Sequence, residues 1–161
     1  MKKTSRLLCT LILVLSSNYA GAEELKKIYL DQRDNVHILK KNGEHRQLTH
    51  KGNASTPKLA PDNETAAWLK LNTWKTEGDD KRGSEELVIY RNGKSASIKC
   101  APFIRDYWFW QNGSQIAIEC GGRHFAGREI LYDVRTLKEL ANFDQAEVPL
   151  EKRPDWSNSD D

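Results

Sequence analysis

The chain has 161 residues, 38% of them hydrophobic, with 25 basic and 23 acidic side chains and a formal net charge of +2. That is about one domain's worth of sequence. The charges are interspersed and form no basic stripe, which argues against a nucleic-acid binder.

The first residues read as an export signal. Lys2, Lys3 and Arg6 make a positive start, Leu7 to Ser16 an apolar stretch, and Ala20-Gly21-Ala22 a small-residue cleavage site. The apolar stretch has roughly ten residues, against about twenty needed to span a bilayer. Residues 1–22 are therefore expected to be removed after Ala22, leaving Glu23 as the first mature residue and a periplasmic protein. Cys9 lies inside the apolar stretch without a Leu-x-x-Cys setting at the cleavage point, so a lipid anchor is not expected. The signal carries three basic and no acidic residues, so the mature net charge is close to zero. No later segment is apolar enough to span a membrane.

From Lys27 onward, short runs rich in β-branched and aromatic residues alternate with turns, and the class is all-β. The expected strands are Lys27 to Leu30, Asn35 to Leu39, His45 to Thr49, Pro57 to Ala60 and Thr65 to Leu71. They continue as Glu86 to Tyr90, Ser95 to Lys99, Arg105 to Trp110, Gln115 to Cys120, Glu129 to Asp133 and Lys138 to Phe143. Asn42-Gly43, Asn92-Gly93 and Asn112-Gly113 are hairpin turns, because Asn and Gly tolerate the positive φ such turns demand. Pro61-Asp62-Asn63 does the same work with proline presetting the first dihedral.

The pattern repeats at a spacing of fifty residues without a gap. Val36 to Lys40 with Lys41-Asn42-Gly43 recurs as Glu86 to Tyr90 with Arg91-Asn92-Gly93. Pro61 to Leu69 recurs as Gln111 to Glu119. A fixed period of this length indicates a supersecondary unit that buries its apolar face by stacking on its neighbour.

The run from Asn35 to Thr49, ending Gln47-Leu48-Thr49, followed by Leu59-Ala60-Pro61-Asp62-Asn63 and Ala66-Ala67-Trp68-Leu69, resembles the TolB-like β-propeller repeat. In this chain Asn63 replaces the usual turn glycine, while the next copy, Trp110-Gln111-Asn112-Gly113, keeps the glycine and loses the Pro-Asp pair. A third half-copy is Glu129 to Asp133 with Leu137 to Leu140, so the resemblance covers about residues 26–143. It implies tandem four-stranded antiparallel propeller-like blades over 23–143, as a partial propeller or a small sandwich, followed by a loose tail over 144–161. The blades number about three, whereas a closed ring typically needs four to eight. Two chains closing one ring, a homodimer, is one solution; a partner over the exposed edge is another. The family works by docking partners in the cell envelope, which implies a protein-interaction scaffold.

Cys100 and Cys120 survive signal removal and are expected to pair, closing a loop of about twenty residues. Tyr107-Trp108-Phe109-Trp110 places rings on both faces of one strand, since side chains alternate. Tyr107 and Phe109 share one face, Trp108 and Trp110 the other, and either set could be core or binding platform. Asn72 to Glu86, with Trp74 and a dense charge run, reads as a long solvated loop suited to protein recognition. Gly121 to Arg128 is a glycine-rich connection bearing Arg123 and His124, suited to an acidic partner.

No nucleotide loop, HExxH pair or GxSxG elbow is present, and His37, His45, His50 and His124 are scattered without metal-ligand spacing. No catalytic residue, cofactor or metal is expected. The expected contact set is Trp74, Trp108, Trp110, Arg123 and His124, in an exported, non-enzymatic module that binds an envelope protein. An inhibitor or immunity protein against an envelope-acting toxin or hydrolase, and a glycan- or peptidoglycan-binding module or hydrolase, are the alternatives.

Overall fold

A computed structural model describes residues 23–76, 79–122 and 124–157, and for residues 73–82 the backbone alone. The expected signal, residues 1–22, lies outside the described residues. Among the described residues eleven strands form three antiparallel sheets, each running back and forth in chain order. The first sheet holds β1 (Leu25–Leu30), β2 (Val36–Lys40) and β3 (His45–Gln47). The second holds β4 (Ala54–Leu59), β5 (Thr65–Thr76), β6 (Asp79–Arg91) and β7 (Lys94–Lys99). The third holds β8 (Ile104–Trp110), β9 (Gln115–Cys120), β10 (Arg128–Asp133) and β11 (Glu139–Asp144).

The fifty-residue period is the blade period. It carries β4 onto β8, the start of β5 onto β9, and β2 onto β6. Among the described residues the first sheet therefore has no counterpart of the strand that β4 and β8 supply to the other two, and β1 is its edge strand. The molecule is all-β, built of propeller-like blades.

Side-chain alternation explains why the blades stack. On β5, Ala66 and Trp68 face the first sheet and pack with Leu25, Val36 and Ile38, while Tyr90 of β6 joins them. Ala67 and Leu69 of β5, with Leu87 and Ile89 of β6, face the third sheet and pack with Ile104, Tyr107, Ile116, Ile118 and Ile130. The middle blade is thus apolar on both faces, and each fully buried Leu or Ile there stabilises the fold by roughly 1.5–3 kcal/mol.

One device shapes three turns. Asp31 after β1, Asp62 after β4 and Asp133 at the end of β10 each accept backbone N–H bonds from residues just ahead. Such local bonds favour turns over strand continuation. Asp62 is also an ion-pair partner of Arg91 at 2.8 Å, which ties the β4–β5 turn to the end of β6. In the third blade the equivalent turn runs through Gln111, Asn112 and Gly113, all at positive φ as expected for Asn112-Gly113, and the Ser114 N–H closes it on the Gln111 carbonyl oxygen at 3.1 Å. Gly113 has φ +91, and a Cβ there would stand 2.9 Å from the Ala60 Cβ, so only glycine lets this turn close on its counterpart in the second blade.

Two expectations about irregular segments change. Asn72 to Glu86 is not a loop for most of its length: past a register shift between Lys70 and Leu71, β5 and β6 stay paired out to Thr76 and Asp79, making a hairpin that extends well past the blade. Lys75 stands opposite Asp80 there, and opposite charges across a ladder favour pairing. Beyond β11 the chain folds back on the third sheet as far as Trp156, contacts that the expectation of a loose tail did not include. Cys100, just after β7, and Cys120, at the end of β9, form the expected disulfide, with Cα atoms 6.1 Å apart. Among the described residues no helix is long and apolar enough to cross a membrane.

Candidate functional site

A short stack of blades has two ends, and each presents one sheet face with no blade against it. The end at the third sheet contains the aromatic strand. Tyr107 is fully buried against the second sheet. Its hydroxyl lies within hydrogen-bond distance of the carbonyl oxygens of Ala67, at 2.8 Å, and Thr56, and its single proton is shared between them. Phe109 meets it edge-on at 6.4 Å, and Lys58, paired with Asp106 at 2.9 Å, lies 4.6 Å from its ring centre. Burial pushes the Tyr107 hydroxyl well above the ordinary phenol range.

Trp108 and Trp110 point the other way and are half-buried. The tail lies over this face. Trp108 donates its indole N–H to the Trp156 carbonyl oxygen at 2.7 Å. Trp156 packs on Phe143 with ring centres 5.5 Å apart, and the Arg153 guanidinium lies 5.7 Å from the Phe143 ring. Gln145 donates to Glu119 at 3.1 Å and to Glu129 at 3.0 Å. Glu129 is fully buried, with Arg153 at 3.8 Å. The face of Trp108 is therefore a capped blade end rather than an open platform. Trp156→Ala is expected to lower the unfolding free energy by about 2 kcal/mol, less than full burial of the ring would give, measured by urea denaturation.

Of the other sequence-predicted contacts, Trp74 sits on the extended half of β5 opposite Lys81, with its side chain outside the description. Arg123 lies outside the described residues. His124 is exposed on the connection between β9 and β10, beside Phe125, which is 78% exposed. Arg105 holds that connection by donating to the Phe125 carbonyl oxygen at 3.3 Å. Among the described residues no hydrogen bond or ring contact joins His124 to Trp108 or Trp110.

The opposite end holds a cluster that the sequence did not single out. On the outer face of the first sheet, Tyr29 of β1 is directly opposite His37 of β2, and His45 of β3 lies on the same face. The three rings stack: Tyr29 to His37 at 5.4 Å, His37 to His45 at 5.0 Å and Tyr29 to His45 at 5.9 Å, all within 19° of parallel. The Tyr29 hydroxyl and His45 Nε2 are 2.6 Å apart. His37 Nε2 is 3.1 Å from Asp31 Oδ2, and Lys27 Nζ lies 5.1 Å from the Tyr29 ring centre. The Asn35 backbone N–H, then those of Arg33 and the His37 side chain, hold the Asp31 carboxyl well below the usual range against the opposing effect of desolvation. Two histidines scattered in sequence become neighbours only because β1, β2 and β3 lie side by side.

The chemistry of this face is recognition: ring edges, imidazole nitrogens, one carboxylate and one lysine on a rigid sheet. Among the described residues no group of three His, Cys, Asp or Glu side chains is arranged to hold a metal. A groove of about 880 Å³ between the second and third sheets is lined by Ile89, Ala96, Val134 and Leu137, with Arg91 and Arg135 at its rim. Arg91 is already paired with Asp62 and Glu64, which balances the charge on that side.

No protein-family model matches the sequence, and no curated protein matches it. Solved structures similar to it include two from Pyrococcus species. One is an acylaminoacyl peptidase from Pyrococcus horikoshii, 11% identical, covering 76% of this chain and 25% of that one, with a TM-score of 0.48. The other is the beta-propeller domain of the Trilobed protease from Pyrococcus furiosus, described as having an open velcro topology. It is 17% identical and covers 77% of this chain and 43% of that one, with a TM-score of 0.49. The chain spans less than half the length of either.

Proposed function

We propose that the chain is an exported, non-enzymatic protein-interaction module of TolB-like repeat type that docks an envelope partner through its first blade. The observation that carries this is the asymmetry of the two ends. The third sheet has its outer face covered by Arg153 and Trp156 of its own tail. On the first sheet Tyr29, His37 and His45 form an outer face on which no described segment packs, and β1 ends the ladder. The disulfide supports export, since such bonds persist in oxidising compartments.

A ring closed by two chains would require the third sheet of one to receive the first sheet of the other. The tail occupies that surface, so a single chain with a different partner fits better.

Site-directed photo-crosslinking in intact cells tests this. A photoreactive residue at Gln47, in register with His37 on β2, should give one discrete adduct in the envelope. The same residue at exposed Leu140 on β11 should give none. No adduct from Gln47, or equal adducts from both positions, would overturn the proposal.

A further inference from the structure

We infer that the processed chain takes an extended, alternately acidic and apolar segment of its partner as an added strand along β1. This deepens the proposed function and rests on the export and docking described there.

The vacancy is defined by the other two blades. In each, an inner strand begins eleven residues before its neighbour: Ala54 before Thr65, and Ile104 before Gln115. The same spacing counted back from Leu25 falls at residues 14–19, outside the described residues. That stretch lies within the segment that export would remove. A processed chain beginning at Glu23 would thus have three strands in this blade where each of the other two has four.

The backbone at this edge is presented for pairing. Asp31 donates its N–H to the Asn35 carbonyl oxygen at 3.0 Å, and Leu48 donates to Val36 at 2.8 Å. Alternation then turns the N–H and C=O groups of Tyr29 toward β2 and those of Ile28 and Leu30 away from it. β1 pairs only with β2 among the described strands, so the groups of Ile28 and Leu30 face the vacancy. The amide of Leu25 is taken by the Asn63 carbonyl oxygen at 2.6 Å, which fixes one end of the slot against the second blade. Unpaired strand edges template the addition of another strand, and main-chain bonds supply the affinity.

Side chains select what enters. Ile28 and Leu30 are partly buried on the core side and offer an apolar wall to alternate positions of an incoming strand. Lys26 and Lys27 are exposed at the same edge, with no carboxylate in ion-pair reach among the described residues. Acidic residues across from them meet unpaired charge. A second copy of this chain is a poorer occupant, because β1 carries both lysines and no carboxylate, and pairing two such strands gathers four lysines on one ladder.

The probe is a ten-residue peptide alternating valine with glutamate, compared with one alternating valine with lysine. The chain is purified from the periplasm, and its N-terminus is read by mass spectrometry. The glutamate peptide should bind at least tenfold more tightly at low salt. It should also slow hydrogen exchange at the Ile28 and Leu30 amides at least tenfold. The double variant Lys26→Glu/Lys27→Glu, exposed at both positions and checked for an unchanged melting temperature, should reverse the preference.

Binding that leaves those two amides unprotected, or a preference unmoved by charge reversal, would overturn the inference. So would amides already protected without peptide in a chain retaining residues 1–22, or a dimer that charge reversal dissolves. A Gln47 adduct in cells without peptide protection at β1 would sink this inference alone and leave the docking proposal standing.

Discussion

Tyr107→Ala is expected to lower the unfolding free energy by about 3–5 kcal/mol. Tyr107 is fully buried, and it joins two blades rather than filling one core. Its hydroxyl reaches Ala67 of β5 and Thr56 of β4. β4 shifts register between Ser55 and Lys58, and Thr56 has φ 50, which turns its carbonyl out of the ladder toward the third blade. Alanine would remove the ring, leave a cavity and orphan that carbonyl. Tyr107→Phe keeps the packing and should cost about 1–3 kcal/mol, the penalty for an unsatisfied buried acceptor. Urea denaturation with unchanged slope measures both, and a phenylalanine variant as stable as wild type would show that the hydroxyl contributes nothing.

The same residue gives the sign of an alkaline effect. Its folded-state hydroxyl is shifted upward by burial, so its contribution is complete below the unfolded value of about 10 and is lost as pH rises beyond it. Tyr90, pushed up to about 12 by burial and then by Glu23, acts in the same direction. Stability above pH 10 should therefore fall in wild type and fall less steeply in Tyr107→Phe.

Blade structure was legible because it is written locally. Asn-Gly turns, alternating apolar positions and a gapless fifty-residue offset each report on a few consecutive residues, and all of them agree. The split of Tyr107 and Phe109 from Trp108 and Trp110 follows from alternation alone, and their burial bears it out. Which face lies open does not follow, because that depends on the tail. Trp156 sits among Ser, Asn and Asp residues that read as solvated, and only its contact with Phe143 and Trp108 reveals a cap.

The stacked face of the first sheet was illegible for a related reason. Tyr29, His37 and His45 are separated by eight residues at each step, which matches no metal or catalytic motif. Their proximity is a product of register across three strands, and register is set by turn geometry as well as by pattern. The β5–β6 hairpin was missed because its charges resemble a solvated loop. Lys75 opposite Asp80 shows that opposite charges in a run of this kind can sit across a two-stranded ladder.

Replacing Cys100 and Cys120 together by serine should lower stability by roughly 3 kcal/mol, the chain-entropy value for a closed loop of about twenty residues. The bond matters more for where it lies than for its length. Cys100 ends the outer edge of the second blade, and Cys120 ends the second strand of the third, so the bond spans the crossing from β7 to β8. That crossing links the blades covalently only once, through residues 100–103. Reduction should act as the double variant does, so wild type in excess reductant and Cys100→Ser/Cys120→Ser should share one urea midpoint. If the double variant matches oxidised wild type, the bond restrains a loop the packing already holds. If it falls by more than the entropy value, the loss must also include packing of half-buried Cys100 and buried Cys120 against Ile104 and Ile118. Tyr107→Ala added to the double variant separates the cases, since two independent ties between the same blades add and a shared one does not.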